Sequence, residues 1–317
     1  MDRTFHQTDL SNHSFLVTGG AGFIGGHIAE YLLKNKAGKV RVLDNMANGF
    51  KSNLDILGQY DHFEFMEGDI RNLETCRKAC EGIDYVSHQA ALGSVPRSIK
   101  EPYLTNDVNV GGFVNMLKAA VENKIKQFVY ASSSSVYGDE PTLPKKEERV
   151  GNCLSPYAVS KKTNELYADV FSRVYGLPLL GFRYFNIFGP RQDPDGPYAA
   201  VIPLFVKALM NQTPPFINGD GGQTRDFTFV ENAVQINIKG MLTDNEEARN
   251  RVYNVAIGEN YSVNYLFEAI RDYLKININP TYRDPREGDI RNSLADISLA
   301  KELLGYEPTT KFETGLI

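Results

Sequence analysis

Residues 14–25 read Ser-Phe-Leu-Val-Thr-Gly-Gly-Ala-Gly-Phe-Ile-Gly, and this segment decides the fold. The apolar run at 14–17 predicts a buried strand. Beyond the glycines, apolar residues recur at helical spacing, namely Ile24, Ile28 and Leu32. Three glycines fit a turn that bends tightly, approaches a pyrophosphate and lets a helix pack on a strand, namely Gly19, Gly22 and Gly25. The amides at the helix N-terminus would face the phosphates, so the segment predicts a dinucleotide-binding unit.

An acidic residue at the end of the next strand indicates which dinucleotide binds. The run at 40–43 predicts a second strand, and Asp44 follows it, nineteen residues after Gly25. A carboxylate at this place accepts hydrogen bonds from the adenosine ribose and repels a 2′-phosphate. We therefore expect NAD rather than NADP as cofactor. Arg41 lies inside the strand, and we interpret it as a structural residue.

Strands and helices alternate through the first part of the chain. Further strands are predicted at 63–67, 83–89, 125–131 and 179–184, with helices near 72–81, 103–122 and 156–175. This alternation predicts an α/β fold of the Rossmann type, with a doubly wound parallel sheet covered on both faces. After Asn186 the pattern becomes irregular and rich in Pro and Gly. We expect an NAD-binding domain at 1–185 and a smaller α/β substrate domain at 186–317, with a return of the chain to the first domain around 226–245.

Composition narrows the functional class. The 317 residues carry a formal charge of −5 with both signs interspersed, which does not point to nucleic acid or to an anionic membrane. The first thirteen residues are polar and no apolar run approaches the length of a membrane span, so we expect a cytoplasmic protein. Three cysteines predict no disulfide framework, and five scattered histidines predict no metal site.

The segment 155–161, Ser-Pro-Tyr-Ala-Val-Ser-Lys, predicts an acid–base pair. Ser155 can cap a helix and Pro156 suits its first position, so Tyr157 and Lys161 would share one helix face. A nearby lysine favours the phenolate, and so would the positive ring of an oxidised nicotinamide. The pair could then take a proton from an alcohol.

The ordered motifs resemble the extended short-chain dehydrogenase/reductases, and among them the UDP-sugar 4-epimerases, closest to the UDP-N-acetylglucosamine 4-epimerase subgroup. The motifs are TGGAGFIG, GDI, HQAA, SSSSVYGD, SPYAVSK, RYFNIFGPRQDP, RDFTFVEN and REGDIRNSLAD, and they span nearly the whole chain. The resemblance implies cofactor contacts from Phe23 and Ile24 at the pyrophosphate, Asp44 and Asn45 at the adenosine ribose, Asp69 and Ile70 at the adenine, and Gln89 along the cofactor. It further implies that Tyr157 is the base, that Lys161 holds the nicotinamide ribose, and that Ser133 hydrogen-bonds the sugar 4-hydroxyl.

The same resemblance implies how a UDP-sugar substrate is held. Diphosphate and uridine ribose would bind Asn186, Arg225, Arg286 and Asp289, and the uracil would lie among Ala200, Val201, Phe205, Phe216 and Asn218. The implied reaction removes hydride from C4 and the proton from its hydroxyl, gives a 4-keto sugar that turns, and returns the hydride to the other face. Such a turn needs a wide sugar pocket and a firmly held UDP.

Two positions separate epimerases from relatives with other activities. Sugar-nucleotide 4,6-dehydratases carry an Asp-Glu pair before Val-Tyr-Gly, and the decarboxylases carry a Glu at the second position. This chain has Ser134 and Ser135 there. Elimination of water needs an acid and a base that 4-epimerisation does not need, so epimerisation is favoured.

Other positions concern the choice of sugar and the assembly. Epimerases restricted to UDP-glucose and UDP-galactose place a tyrosine where this chain has Ser293, and the smaller residue would leave room for a 2-acetamido group. The loop at 91–98 resembles that of the UDP-N-acetylglucosamine 4-epimerases, with Ser94 and Arg97 near the sugar. Two alternatives stay open: a UDP-hexuronic or N-acetylhexosaminuronic acid substrate, and an NAD-sensing regulator without turnover. The helices near 103–122 and 156–175 are those through which many relatives dimerise, so we expect a homodimer.

Overall fold

A parallel sheet forms the centre of the molecule. The computed structural model describes residues 3–196, 199–285 and 291–316. Numbered along the chain, the strands of this sheet are β1 Ser14–Thr18, β2 Lys39–Asp44, β3 Phe63–Glu67, β4 Tyr85–His88, β5 Gln127–Ser133, β6 Leu179–Tyr184 and β11 Arg251–Val255. Their spatial order is β11-β6-β5-β4-β1-β2-β3, and every neighbouring pair is parallel. The predicted α/β fold of the Rossmann type is confirmed.

Helices cover both faces of the sheet. They are α1 Phe23–Lys34, α2 Lys51–Leu57, α3 Leu73–Cys80, α4 Val95–Lys100, α5 Pro102–Asn106, α6 Gly112–Glu122, α7 Pro156–Tyr175, α8 Val201–Met210, α9 Val230–Met241, α10 Val263–Leu274, α11 Ser298–Leu304 and α12 Phe312–Leu316. A π-helical segment, Asp107–Gly111, joins α5 to α6, so the helix predicted over 103–122 is not uniformly α-helical. Short 3₁₀ turns lie at Ser134–Tyr137 and Glu246–Ala248.

Successive side chains along each strand point to opposite faces of the sheet, and this alternation divides the core into two layers. Phe15 and Val17 of β1 pack in one cluster with Ile28 of α1, while Leu16 between them packs in the other cluster with Phe113 of α6. This arrangement follows from the period of two along a strand that is buried on both faces. Arg41 is a charged residue within the otherwise apolar middle of β2. Its guanidinium donates to Glu64 at 3.0 Å and to backbone carbonyls at the C-terminal end of α3. Our structural interpretation of Arg41 is therefore confirmed.

A smaller part of the chain after Asn186 has its own aromatic core. It contains the strand pairs β7 Ile187–Phe188 with β10 Thr228–Phe229, β9 Thr224–Arg225 with β12 Tyr261–Ser262, and β8 Phe216–Asn218 with β13 Thr281–Arg283. Its buried cluster joins α8, α10 and α12 through Phe205, Phe267 and Phe312. The chain returns to the large sheet through α9 and β11, so this return runs on to residue 255, beyond the 226–245 that we expected.

The helix α7 begins as its sequence predicts. The Ser155 hydroxyl accepts a hydrogen bond from Ala158 N at 3.1 Å, and Pro156 occupies the first turn. Gly176, with φ of 68°, ends the helix in the left-handed conformation that glycine adopts without strain. The local sequence therefore fixes where Tyr157 and Lys161 stand on the helix.

Candidate active site

A cavity of about 1010 Å³ opens at the carboxyl ends of β1, β4 and β5. This is the point where the strand order reverses, and ligands of doubly wound sheets bind at such points. The glycine turn forms one wall. Gly19 has φ of +71°, and a Cβ on it would lie 2.8 Å from Ala90 N, while a Cβ on Gly25 would collide with the Gly19 carbonyl oxygen. Every predicted cofactor residue lines this cavity, namely Gly19, Gly22, Phe23, Ile24, Gly25, Asp44, Asn45, Asp69, Ile70, Gln89, Tyr157 and Lys161.

Two carboxylates define one end of the cavity. Asp44 accepts hydrogen bonds from Ala21 N at 3.0 Å and Met46 N at 2.9 Å, yet burial raises its pKa. Asp69 is held by Arg71 at 2.7 Å and by Asn45 at 2.9 Å, and the bond from Arg71 lowers its pKa to about 2. Both groups therefore offer fixed acceptor oxygens for hydroxyl or amino donors, and negative charge disfavours a phosphate beside Asp44.

The predicted acid–base residues meet at the opposite end of this cavity. Ser133 ends β5, its hydroxyl accepts from Ser135 N at 3.1 Å, and it hydrogen-bonds the phenol of Tyr157. Lys161 donates to the Ala131 carbonyl at 2.8 Å, and its Nζ lies 5.9 Å from the centroid of the Tyr157 ring. The three side chains thus form one cluster on β5 and the first turns of α7.

The expectation that Lys161 lowers the pKa of the Tyr157 phenol is wrong for the protein without its cofactor. Burial raises the pKa of Tyr157, and the hydrogen bond with Ser133 only partly opposes that rise. Burial also lowers the pKa of Lys161 to about 8. We expected the lysine to depress the pKa of the phenol, but its ammonium is bonded to a backbone carbonyl and the loss of water around the phenolate dominates.

A buried ion pair fixes α7 against the sheet. Arg183 of β6 binds Glu165 of α7 through two bonds, at 2.8 and 2.9 Å, and Ser132 donates to the same carboxylate at 2.7 Å. Glu165 stands one helical turn after Lys161. The pair therefore holds the lysine and Ser133 in register. Sequence reasoning missed it, because nothing local joins residues that lie on different elements.

A ring of buried amides and hydroxyls forms the floor between Gln89 and Tyr184, both of which line the cavity. Asn237 of α9 accepts from Gln89 Nε2 and from Ser87 Oγ, each at 3.0 Å. Its own Nδ2 donates to Tyr184 OH at 2.7 Å, and Tyr184 donates to Gln89 Oε1 at 3.1 Å. Nδ2 also donates to the Ala233 carbonyl at 2.7 Å, which fixes the orientation of the amide. We had assigned no role to Tyr184 or Asn237; α9 carries other polar residues, such as Asn232 and Gln235, so residue type alone does not single out Asn237.

A second cavity of about 330 Å³ adjoins the first, and Asn186 and Ala200 line both. It contains most of the residues predicted to hold the nucleotide of the substrate, namely Asn186, Ala200, Val201, Phe205, Phe216, Asn218 and Arg225. Asn186 is strained, with φ of 38°, and donates to the Asp226 carbonyl at 3.1 Å. The buried carboxylate of Asp226 accepts hydrogen bonds from three backbone amides, so it ties the segment between β9 and β10 to the segments at 257–258 and 295.

Two predicted substrate residues within the described ranges, Arg97 and Ser293, line neither cavity. Arg286 and Asp289 lie outside the described residues. Arg97 donates to Asn48 at 3.3 Å and is not among the lining residues, although Ser94, which caps the same helix, lines the larger cavity. Ser293 is half-buried beside β9, where its amide donates to the Thr224 carbonyl at 3.1 Å.

The described ranges contain neither a membrane-crossing helix nor a metal cluster. None of their helices combines the length and the apolar character that a bilayer span requires. Within the same ranges, no three His, Cys, Asp or Glu side chains are grouped closely enough to hold a metal ion.

Comparison with known proteins places the chain in a family. The model of the NAD dependent epimerase/dehydratase family matches residues 15–256. A UDP-glucose 4-epimerase of Mycolicibacterium smegmatis is 34% identical over 303 residues, which cover 95% of each chain. The solved UDP-N-acetylglucosamine 4-epimerase of Methanobrevibacter ruminantium, in complex with UDP-N-acetylmuramic acid, is 41% identical with a TM-score of 0.90 over 96% of each chain. A UDP-glucuronic acid 4-epimerase of Bacillus cereus, solved with UDP-glucuronic acid and NAD, is 31% identical with a TM-score of 0.89 over 96% of each chain. This chain therefore belongs to the NAD dependent epimerase/dehydratase family.

Proposed function

We propose that this protein interconverts the C4 epimers of a UDP-hexose with bound NAD, and that its substrates are UDP-N-acetylglucosamine and UDP-N-acetylgalactosamine. The observation that carries the proposal is the cluster of Ser133, Tyr157 and Lys161 in the larger cavity. Ser134 lines the same wall where an acid would be needed for elimination of water. The chain thus supplies a base and a hydrogen-bond donor there, which is what 4-epimerisation requires.

The larger cavity fits NAD. Its glycine turn leaves no room for a side chain where a pyrophosphate would approach the start of α1. Asp44 would hold the adenosine ribose, Asp69 the adenine, and Lys161 the ribose of the nicotinamide. When bound, NAD supplies a reversible hydride acceptor. The residues of the chain would bind and orient it.

Tyr157 would take the proton of the 4-hydroxyl. Burial alone leaves its phenol protonated at neutral pH, so the charge on Lys161 and on the bound cofactor must favour the phenolate. Ser133, which already hydrogen-bonds that phenol, would hold the same substrate oxygen and polarise it in the keto form. The buried pair of Glu165 and Arg183 keeps these groups at fixed separation.

The smaller cavity would hold the UDP portion while the sugar turns. Arg225 lines it, and a guanidinium suits a diphosphate because its fork gives charge-assisted bonds. Phe216, Phe205 and Val201 provide apolar surface for a base. The family resemblance alone assigns Arg286 and Asp289 to the diphosphate and the uridine ribose.

Charge at the cavity walls favours a neutral sugar over a uronic acid. Among the described residues that line the two cavities, the cations are Arg71, Lys161 and Arg225. Arg71 is bonded to Asp69 and Asp107, and Lys161 to a backbone carbonyl. A carboxylate at C5 would need its own partner, since burying an unpaired charge is costly. The N-acetylated substrate rests on the family resemblance of the 91–98 loop and of the small residue Ser293, which lines neither cavity in the structure.

A homodimer through α7 also belongs to this proposal. Four exposed apolar side chains lie along one face of the helix, namely Val159, Leu166, Val170 and Val174. Tyr103 of α5, 85% exposed, belongs to a helix that packs beside it. A stripe of this kind is typical of an interface. The cytoplasmic location expected from the sequence stays a prediction.

The test is to incubate the purified protein with one C4 epimer at a time. UDP-N-acetylglucosamine, UDP-glucose and UDP-glucuronic acid would be supplied separately, and the product resolved by chromatography. We expect the highest kcat/KM with the N-acetylated pair, slower turnover of UDP-glucose, and no turnover of the uronic acid. Fastest conversion of UDP-glucuronic acid would replace the substrate assignment, and no conversion of any of them would refute the proposed activity.

A further inference from the structure

Arg283 stands at the edge of the smaller cavity and has no role in the function proposed above. The strands β8 and β13 pair in parallel, with Asn218 opposite Arg283. Phe216 and Asn218 are two residues apart on β8, so their side chains share one face. The Arg283 guanidinium lies over the ring of Phe216, 5.1 Å from its centroid, and its Nε donates to Asn218 Oδ1 at 2.6 Å. One side chain therefore holds two residues that line the cavity.

This contact determines which end of the Asn218 amide a ligand meets. A guanidinium can only donate hydrogen bonds, so the oxygen of the amide must face Arg283 and the NH₂ group must face elsewhere. The backbone carbonyl of Asn218 is already an acceptor for Gln223 Nε2 at 2.9 Å. Asn218 thus offers a ligand in the cavity a donor from its side chain rather than an acceptor.

We propose that Arg283 is a positioning residue for base selection: by turning the Asn218 amide, it makes the smaller cavity prefer uracil to cytosine. The inference rests on the proposed function, which places the base of the nucleotide in this cavity. Uracil presents the O4 carbonyl, which would accept from Asn218 Nδ2. Cytosine presents an amino group at the same place, and two donors would then face each other. A donor that the bound base covers and leaves without an acceptor would cost about ten- to a hundredfold in affinity.

Phe216 provides the surface on which the base would rest. It lines the cavity although 58% of its surface is exposed, and Arg283 lies against its ring. Aromatic rings stack with any base, so Phe216 contributes affinity without choosing between pyrimidines. The amide of Asn218 would therefore select the base, and Arg283 would set the orientation of that amide.

The test measures the binding of UDP and CDP to the NAD-loaded protein by titration calorimetry at one salt concentration. Arg283→Met removes the donor and lets the amide of Asn218 rotate, so the preference for UDP should fall from at least about tenfold to within about threefold. Asn218→Asp presents only acceptors, so it should bind CDP more tightly than UDP. Arg271→Met is the matched control. The Arg271 guanidinium lies 5.6 Å from the ring centroid of Phe267, and neither Arg271 nor Phe267 lines a cavity.

The outcomes separate this inference from the proposed function. An unchanged ratio of UDP to CDP affinity in Arg283→Met would overturn the role of Arg283, whatever the activity of the enzyme. The same ratio change in Arg271→Met would also overturn it, because the effect would then not depend on this site. If no UDP-sugar is epimerised while the two variants shift the ratio as expected, the proposed reaction fails and base selection stands. If Arg283→Met fails to fold, Asn218→Asp still tests the same amide. An Asn218→Asp variant that keeps the preference for UDP would then refute the proposal.

Discussion

Replacement of Asn237 by alanine should weaken dinucleotide binding from a distance. The side chain of Asn237 is fully buried on α9 and is not itself among the residues that line the cavity. It is bonded to Ser87, Gln89 and Tyr184, and the last two line the cavity. Asn237→Ala would leave the amide of Gln89 and the hydroxyl of Tyr184 without the partner that orients both. They could then turn away from the positions in which a ligand meets them.

The size of the effect follows from the bonds that are lost. Asn237 makes four hydrogen bonds, at 2.7 to 3.0 Å. At roughly 1 kcal/mol each, less what an entering water restores, the folded state should lose about 2–4 kcal/mol. For a chain of this size that corresponds to a fall in Tm of roughly 3–6 °C. Loss of order in two cavity side chains should weaken NAD binding by about ten- to a hundredfold, or about 1.4–2.8 kcal/mol.

Asn232 on the same helix offers a matched control. It is equally buried and makes three bonds with Thr309 and Thr310, at 2.7 to 3.3 Å, on a different side of α9. Asn232→Ala should therefore lower Tm by a similar amount while NAD affinity stays within about threefold of the wild type. Thermal unfolding gives Tm, and titration calorimetry of cofactor-free protein gives the affinity. Equal losses of NAD affinity in the two variants would refute the reasoning, because general destabilisation would then explain both.

Four further predictions concern the site itself. Tyr157→Phe should lower kcat by about 10²- to 10⁴-fold with little change in UDP-sugar affinity, and near-normal turnover would remove Tyr157 from the mechanism. Asp44→Ala should narrow the preference for NAD over NADP, measured as the ratio of their dissociation constants; a wild type that binds both equally would contradict the place given to Asp44. By the family resemblance, position 293 faces the acetamido group, so Ser293→Tyr should reduce kcat/KM for UDP-N-acetylgalactosamine far more than for UDP-galactose, because a rigid ring would fill that space; equal losses would show that Ser293 does not select the sugar. Burial lowers the pKa of Lys161 from 10.5 to about 8, so between these values the unfolded chain holds a proton that the folded chain has lost. The unfolding free energy of the cofactor-free protein should then gain up to about 1.4 kcal/mol per pH unit across that window, and Lys161→Met should lack this gain in urea titrations; identical slopes would contradict the assigned pKa.

Wherever the signal was local, the sequence predicted the fold well. The strand, glycine turn and helix at 14–34 follow from periodicity and from the conformational freedom of glycine, and the structure has each of them. Spacing along one helix likewise placed Tyr157 and Lys161 together, because residues four apart share a helix face. The sequence did not predict β11 as the seventh strand, since a short strand after an irregular region can pair with either part of the molecule.

Contacts between distant segments needed the tertiary structure. Asn237 meets Gln89 across 148 positions and Asn218 meets Arg283 across 65, and no periodicity in either segment specifies its partner. The pKa of Tyr157 is a similar case. Its neighbour Lys161 could be identified from spacing, but the water lost around the phenol depends on every element that packs against it, and that loss determines the direction of the shift. The residue types and spacing of this chain thus determined its fold class and the placement of Tyr157 and Lys161 on one helix. Packing decided the pKa values and the supporting partners of these two residues, because both depend on neighbours that only folding brings together.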